Sequence, residues 1–290
     1  MMDHARGEWS LIFFTTLTQM AVGAFALWGL GAGVLPSPSV FSTGLFSVIL
    51  LSTVLAALFL GSLSATTHLG RPLGAVFSLS NWRRSWLSRE ALLAGGFGLM
   101  VMAALVLRLM GTRFGWADRL LILIGMLAGF SLVWGISRLY RLRTVPAWDN
   151  LATPAAFFTT SLLTGLVAIR LIWFAQEILE PILTRLPMVA LFKIRSDLLI
   201  FLLVLVQAVF FCLLIIYLTQ QGSAGAESVR ILWQRHRLAL ILRWVMAAVG
   251  VLLLNLGTSP EQHLSAYFLL LASELIGRFL FYAFYQRTGF

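Results

Sequence analysis

Charge is scarce in this 290-residue chain. Asp, Glu, Lys and Arg make up 11% of it, against about a quarter in a soluble domain. So few charged side chains could not clothe the one or two soluble domains that the length would allow, which leaves an integral membrane protein. Cysteine is almost absent, and Cys212 alone excludes a disulfide framework or a four-thiolate iron–sulfur or zinc site within the chain. The four histidines do not pair as a membrane haem requires: His4 and His236 lie in polar segments, and His263 is expected at the face opposite His68. We therefore expect neither haem nor metal here. A phosphate-cradling glycine loop, a metal-ligand cluster and a nucleophile–base arrangement are all missing. Lysine is nearly absent too, with Lys193 against 20 arginines, and the net charge is +10. No nucleic-acid motif accompanies the arginines, which mostly sit between apolar runs, where they serve topology and contacts with headgroups or partners. The first residues carry Asp3 and Glu8, with no basic n-region and no small-residue cleavage site, so the first apolar run is expected to be a retained span.

Apolar sequence fills the space that charge leaves. Hydrophobic residues make up 60% of the chain, and the mean hydropathy is +0.92. Eight runs are long enough to cross roughly 30 Å of hydrocarbon as helices. They cover 9–34, 41–64, 89–110, 117–139, 152–176, 198–219, 237–256 and 263–284. The expected fold is all-α, a polytopic membrane bundle of eight transmembrane helices forming one domain over 1–290. An even span count puts both termini on one side. The loops on that side hold twelve arginines, against six basic residues on the other, which by the positive-inside rule makes it cytoplasmic. Trp9, Trp82, Trp86, Trp116, Trp148 and Trp233 fall near span ends, as an aromatic belt requires. Ala91, Ala94, Gly95, Gly96 and Gly98 are small enough to let the third span approach another helix closely.

Titratable groups in or beside spans carry the functional signal, because each is costly unless paired or employed. His68 closes the second span and Glu90 opens the third, so both belong to one membrane face. A histidine and a carboxylate at that depth suit the uptake of two protons from an oxidised quinol. They equally suit a plain helix C-terminal His and a first-turn Glu favoured by the helix dipole. Between them Gly70 permits a tight turn, and Pro72 stops the helix. Glu274, Arg278 and Tyr282 stand at i, i+4 and i+8 on one face of the last span. They form either a buried ion pair or the lining of a polar cavity leading toward His68. Thr144 to Trp148 makes a shaped loop at the same membrane face, with Trp148 a candidate wall and Pro154 in the first turn of the fifth span.

Four motifs in order give these residues a family. His68-Leu69-Gly70-x-Pro72, Leu87-Ser88-Arg89-Glu90, Thr144-Val145-Pro146-Ala147-Trp148, and Glu274-Leu275-Ile276-Gly277-Arg278 with Tyr282 together resemble the membrane anchor subunit of dimethyl sulfoxide reductase. Length, span count and motif order match along essentially the whole chain. The resemblance implies an inner-membrane subunit of a three-subunit molybdoenzyme of anaerobic respiration. One partner is a molybdopterin catalytic subunit, and another is an iron–sulfur electron-transfer subunit. The terminal reduction would lie in a partner, and menaquinol would be oxidised here. It carries quinol binding onto His68 and Glu90, with Gly70 in the same motif; we extend that set to Arg71, Glu274 and Arg278. The resemblance also places the termini and the catalytic partners on the periplasmic side, against the arginine count. We follow it, because arginines on that face also suit docking of the iron–sulfur subunit. The anchor of a related polysulfide- or tetrathionate-type reductase, a purely structural anchor and a secondary transporter are the alternatives. No repeated motif or matched interruption relates spans one to four with five to eight, as a transporter built from repeats would show.

Overall fold

The structure, a computed structural model, describes residues 9–31, 44–67, 82–111, 115–179 and 187–285. Within them the protein forms nine helices and no strand. They are α1 (Trp9–Gly29), α2 (Gly44–Thr67), α3 (Trp86–Leu109), α4 (Trp116–Tyr140), α5 (Ala152–Leu179), α6 (Pro187–Thr219), α7 (Gly222–Arg235), α8 (Arg237–Leu256) and α9 (Pro260–Ala283). All but α7 are long and apolar enough to span a bilayer, which bears out the eight expected crossings.

Local chemistry moves several ends from the expected positions. The third span begins at Trp86 because Ser85 caps it, accepting a hydrogen bond from the Ser88 amide at 3.3 Å. The last begins at Pro260: Ser259 and Gln262 form a reciprocal capping box, and proline suits a first helical turn, where its missing N–H is no loss. The α7 helix was not expected. It buries Ala224, Ser228 and Leu232 at intervals of four and leaves Arg230 and Trp233 exposed, the pattern of a helix lying along an interface.

The first span lies at the centre, packed against α2, α4, α5 and α9, and it is the most enclosed of the eight. Glycine makes its closest approach possible. A Cβ added at Gly23 would run into the Ser161 carbonyl oxygen of α5, and one at Gly165 would run into the Ala24 amide nitrogen of α1. At the same crossing Ser161 donates to the Gln19 carbonyl at 2.8 Å, a side-chain bond of the kind that joins helices in lipid. At the membrane face opposite Trp9, Arg108 of α3 grips Asp118 of α4 through two hydrogen bonds of 2.9 and 2.8 Å. Both residues are buried, so the carboxylate compensates a guanidinium that would otherwise be costly there. Leucine, isoleucine and valine on the outer faces of α6 and α8 are exposed, as lipid contact requires.

Candidate functional site

Two hollows open toward the face that carries Trp9, Tyr140 and Trp148. The larger is an apolar groove of about 950 Å³ between α2 and α3, backed by Phe14 of α1. It follows α3 from Leu87 to Met102, a length of about 22 Å at the helical rise. Phe59, Leu99 and Met102 on its rim are exposed, so the groove opens sideways toward lipid.

Ala91, Ala94, Gly95 and Gly98 line this groove, and the expectation of close helix packing holds at Gly98 but not at Gly95 or Gly96. A Cβ added at Gly95 or Gly96 would meet nothing within 4 Å, whereas one at Gly98 would crowd Leu58 of α2 at 3.2 Å. Gly95 and Gly96 make room, and Gly98 admits the neighbouring helix. Ser62, Thr66 and Glu90 are the groove's polar lining residues, and all three stand at its membrane-face end. Glu90 is 5% exposed. Its Oε2 has no hydrogen-bond partner among the described residues. A carboxylate held this way on an apolar wall is expensive, and such groups mark function more often than packing.

The second hollow is a smaller cavity of about 70 Å³, enough for a few waters, lined by α5, α6, α8 and α9 with a few polar side chains among apolar ones. Glu274 and Arg278 both line it, one helical turn apart as expected. They are not joined in a direct ion pair; each is held by neutral partners. Thr160 and Gln207 donate to Glu274 Oε2 at 2.6 and 3.2 Å. Arg278 donates to Gln19 Oε1 at 2.6 Å and lies 3.9 Å over the Phe157 ring. Arg243 of α8 completes the lining, with its guanidinium against Gly277. Residue reasoning missed Gln19, Thr160, Gln207 and Arg243 as its partners, although each is a polar side chain inside an apolar run. That was the available signal.

An aromatic wall borders the smaller hollow, to which it contributes Phe281. Tyr140, Trp148, Phe157, Phe281 and Tyr282 touch ring to ring, with centroids 5.3–6.4 Å apart. Trp148 is buried, stacks on Phe281 and donates to its carbonyl at 2.8 Å, so it belongs to this wall rather than to the lipid belt. Its neighbour Ala147 lines the smaller cavity instead. Thr153 Oγ1 fixes the loop by donating to the Trp148 carbonyl at 2.7 Å. His68, Gly70 and Arg71 lie outside the described residues; the α2 end that precedes them supplies Ser62, Ala65 and Thr66 to the groove.

A family profile described as DMSO reductase anchor subunit (DmsC) matches residues 2–284. The protein belongs to that family. It is a multi-pass protein of the inner membrane, with eight helices able to span it. The YnfH polypeptide of anaerobic dimethyl sulfoxide reductase from Escherichia coli is 29% identical over 302 aligned positions, covering 97% of this protein and 96% of that one. The C polypeptide of the anaerobic dimethyl sulfoxide reductase of Haemophilus influenzae is 26% identical over 284 positions, with the same coverage of 97% and 96%. Its Escherichia coli namesake is 28% identical over 172 positions, about half of each protein. Among the described residues of this anchor subunit no cluster of metal-ligating side chains occurs.

Proposed function

We propose that this protein anchors a dimethyl sulfoxide reductase-type molybdoenzyme and oxidises menaquinol in the α2–α3 groove. One observation supports the site above the others: a buried carboxyl group, Glu90, faces the polar end of a long apolar groove that is open to lipid. A quinol needs that combination. Its isoprenoid tail enters from the bilayer and lies along Phe59, Leu99 and Met102, where burial of apolar surface holds it without ordering water. Its hydroxyl ring then reaches the membrane-face end of the groove, where Glu90 accepts a proton. His68 belongs to the segment that follows α2 directly, and we assign it the hydrogen bond to a quinol oxygen, with Gly70 and Arg71 of the same segment beside it in the site. Menaquinol loses two electrons and two protons to become menaquinone, one proton passing to Glu90 and the other to His68. The electrons leave singly to an iron–sulfur partner subunit docked on this face and from there reach the molybdopterin subunit. Glu274 and Arg278 contact no quinol in this account, because their cavity holds only a few waters.

The reading is tested in membranes carrying the assembled complex. Glu90→Gln removes the proton acceptor while keeping shape, and general-base loss costs about 100-fold or more in rate. The expected result is loss of menaquinol-dependent dimethyl sulfoxide reduction with artificial-donor reduction and assembly intact. Full quinol-dependent activity in Glu90→Gln, or in His68→Arg, would make this subunit a purely structural anchor.

A further inference from the structure

A third hollow lies at the membrane face opposite Trp9, near the end of α5 and the starts of α6 and α9. Its volume is about 170 Å³, more than twice that of the Glu274 cavity. Arg170, Trp173 and Glu177 follow one another on α5 at steps of three and four, so one side of that helix presents all three to the pocket. Lys193 of α6 lines it as well, and Thr258, His263 and Tyr267 complete it from α9 and the turn before it.

The lining is rich in hydrogen-bond donors. Arg170 is 2% exposed and is held by two bonds of 3.0 Å, from Nε to the Tyr267 hydroxyl and from Nη2 to Asp197 Oδ1. Asp197 is not among the residues that line the pocket, so the guanidinium fronts it and the carboxylate does not. Trp173 is 4% exposed, and its indole N–H meets no acceptor among the described residues. A buried donor left unmade is costly and asks for a partner. The Tyr267 oxygen accepts from Arg170, which leaves the hydroxyl hydrogen for another acceptor. Glu177 is the one carboxylate in the lining, and Lys193 pairs with it. That pair uses one of three ammonium N–H groups.

We propose that this pocket binds the phosphate group of a membrane phospholipid. Lys193, the Trp173 indole and the Tyr267 hydroxyl donate to the phosphate oxygens, beside the Arg170 guanidinium. Lipid, rather than solvent, supplies the phosphate, because the pocket stands at the ends of membrane-spanning helices. Ile178 and Ile194, next in sequence to Glu177 and Lys193, are exposed as lipid contact requires, and Phe174 adds an apolar wall. Basic pockets between membrane helices hold phospholipid head groups by this chemistry. The assignment is independent of where the quinol binds.

The test uses the assembled complex, purified in mild detergent and stripped of its own lipid. It is titrated with dioctanoyl phosphatidylglycerol, and bound lipid is counted by native mass spectrometry. The expected result is a saturable lipid site whose affinity falls about tenfold or more in Lys193→Gln and in Trp173→Phe, since each removes a donor to a charged group. Trp173→Phe keeps an aromatic ring against Phe46, so it tests the lost N–H with the packing largely preserved. Arg119→Gln removes an exposed cation at the same membrane face outside the pocket, and it keeps the parent affinity. Parent affinity in both Lys193→Gln and Trp173→Phe overturns the proposal. An equal loss in Arg119→Gln also overturns it, by reducing the binding to diffuse surface charge. Dioctanoylglycerol, with the same chains and no phosphate, must bind more weakly than the phospholipid. If inorganic phosphate displaces the lipid at equal concentration, the pocket is a free-phosphate site and the lipid assignment fails.

Discussion

Glycine has two opposite uses in this bundle, and single substitutions tell them apart. At Gly23 a side chain would run into the backbone of α5, which cannot yield as a flexible side chain can. Gly23→Ala therefore overpacks the central crossing, at a cost of about 1–3 kcal/mol or more, read as a lower melting temperature in detergent. At Gly95 a side chain meets nothing and instead fills the groove. Gly95→Leu leaves the melting temperature unchanged and raises the KM for menaquinol, since steric discrimination in an apolar pocket is worth about 1–3 kcal/mol. A destabilised Gly95→Leu with unaltered KM would return Gly95 to the packing role that composition suggests. The sequence alone could not separate these glycines, because small residues look the same whether they admit a helix or a ligand.

At the scale of elements, hydropathy located every crossing, since a run of apolar residues must span lipid whatever it packs against. It was weaker on ends. Caps such as Ser85 and the Ser259–Gln262 box depend on two or three polar atoms that no average registers. The α7 helix escaped because the residues it buries at four-residue intervals, Ala224, Ser228 and Leu232, include a small and a polar side chain, in a segment otherwise polar enough to pass for a loop. The candidate site was legible in part. Glu90, Glu274, Arg278 and Tyr282 stood out as titratable groups in apolar surroundings, and the structure buries all four. It also puts Glu90 in one hollow, Glu274 and Arg278 in the other, and Tyr282 among the aromatic rings, a partition that depends on which helices neighbour one another. Gln19 meets Arg278 across 259 positions of sequence, a distance at which spacing rules carry no information.

At the scale of the whole molecule, one membrane face gathers the groove's polar end, the exit of the second cavity, the aromatic wall and the exposed Arg83, Arg84 and Arg143. The +10 charge, a topology signal by the positive-inside rule, is on this account partly a docking surface for the iron–sulfur subunit. We propose that this face is periplasmic, as the family resemblance implies and against the arginine count; a periplasm-only reporter fused to the C-terminus is then expected to be active. A silent reporter with an intact complex would restore the count and reverse the sidedness. The central claim is the place where menaquinol binds. Photo-crosslinking with an azido-menaquinone analogue, followed by peptide mapping, tests it most directly. The account predicts label on α2 between Leu55 and Thr66 and on α3 between Leu87 and Met102, competed away by menaquinol. Label concentrated on the Glu274 cavity, or on no segment of this protein, would contradict it.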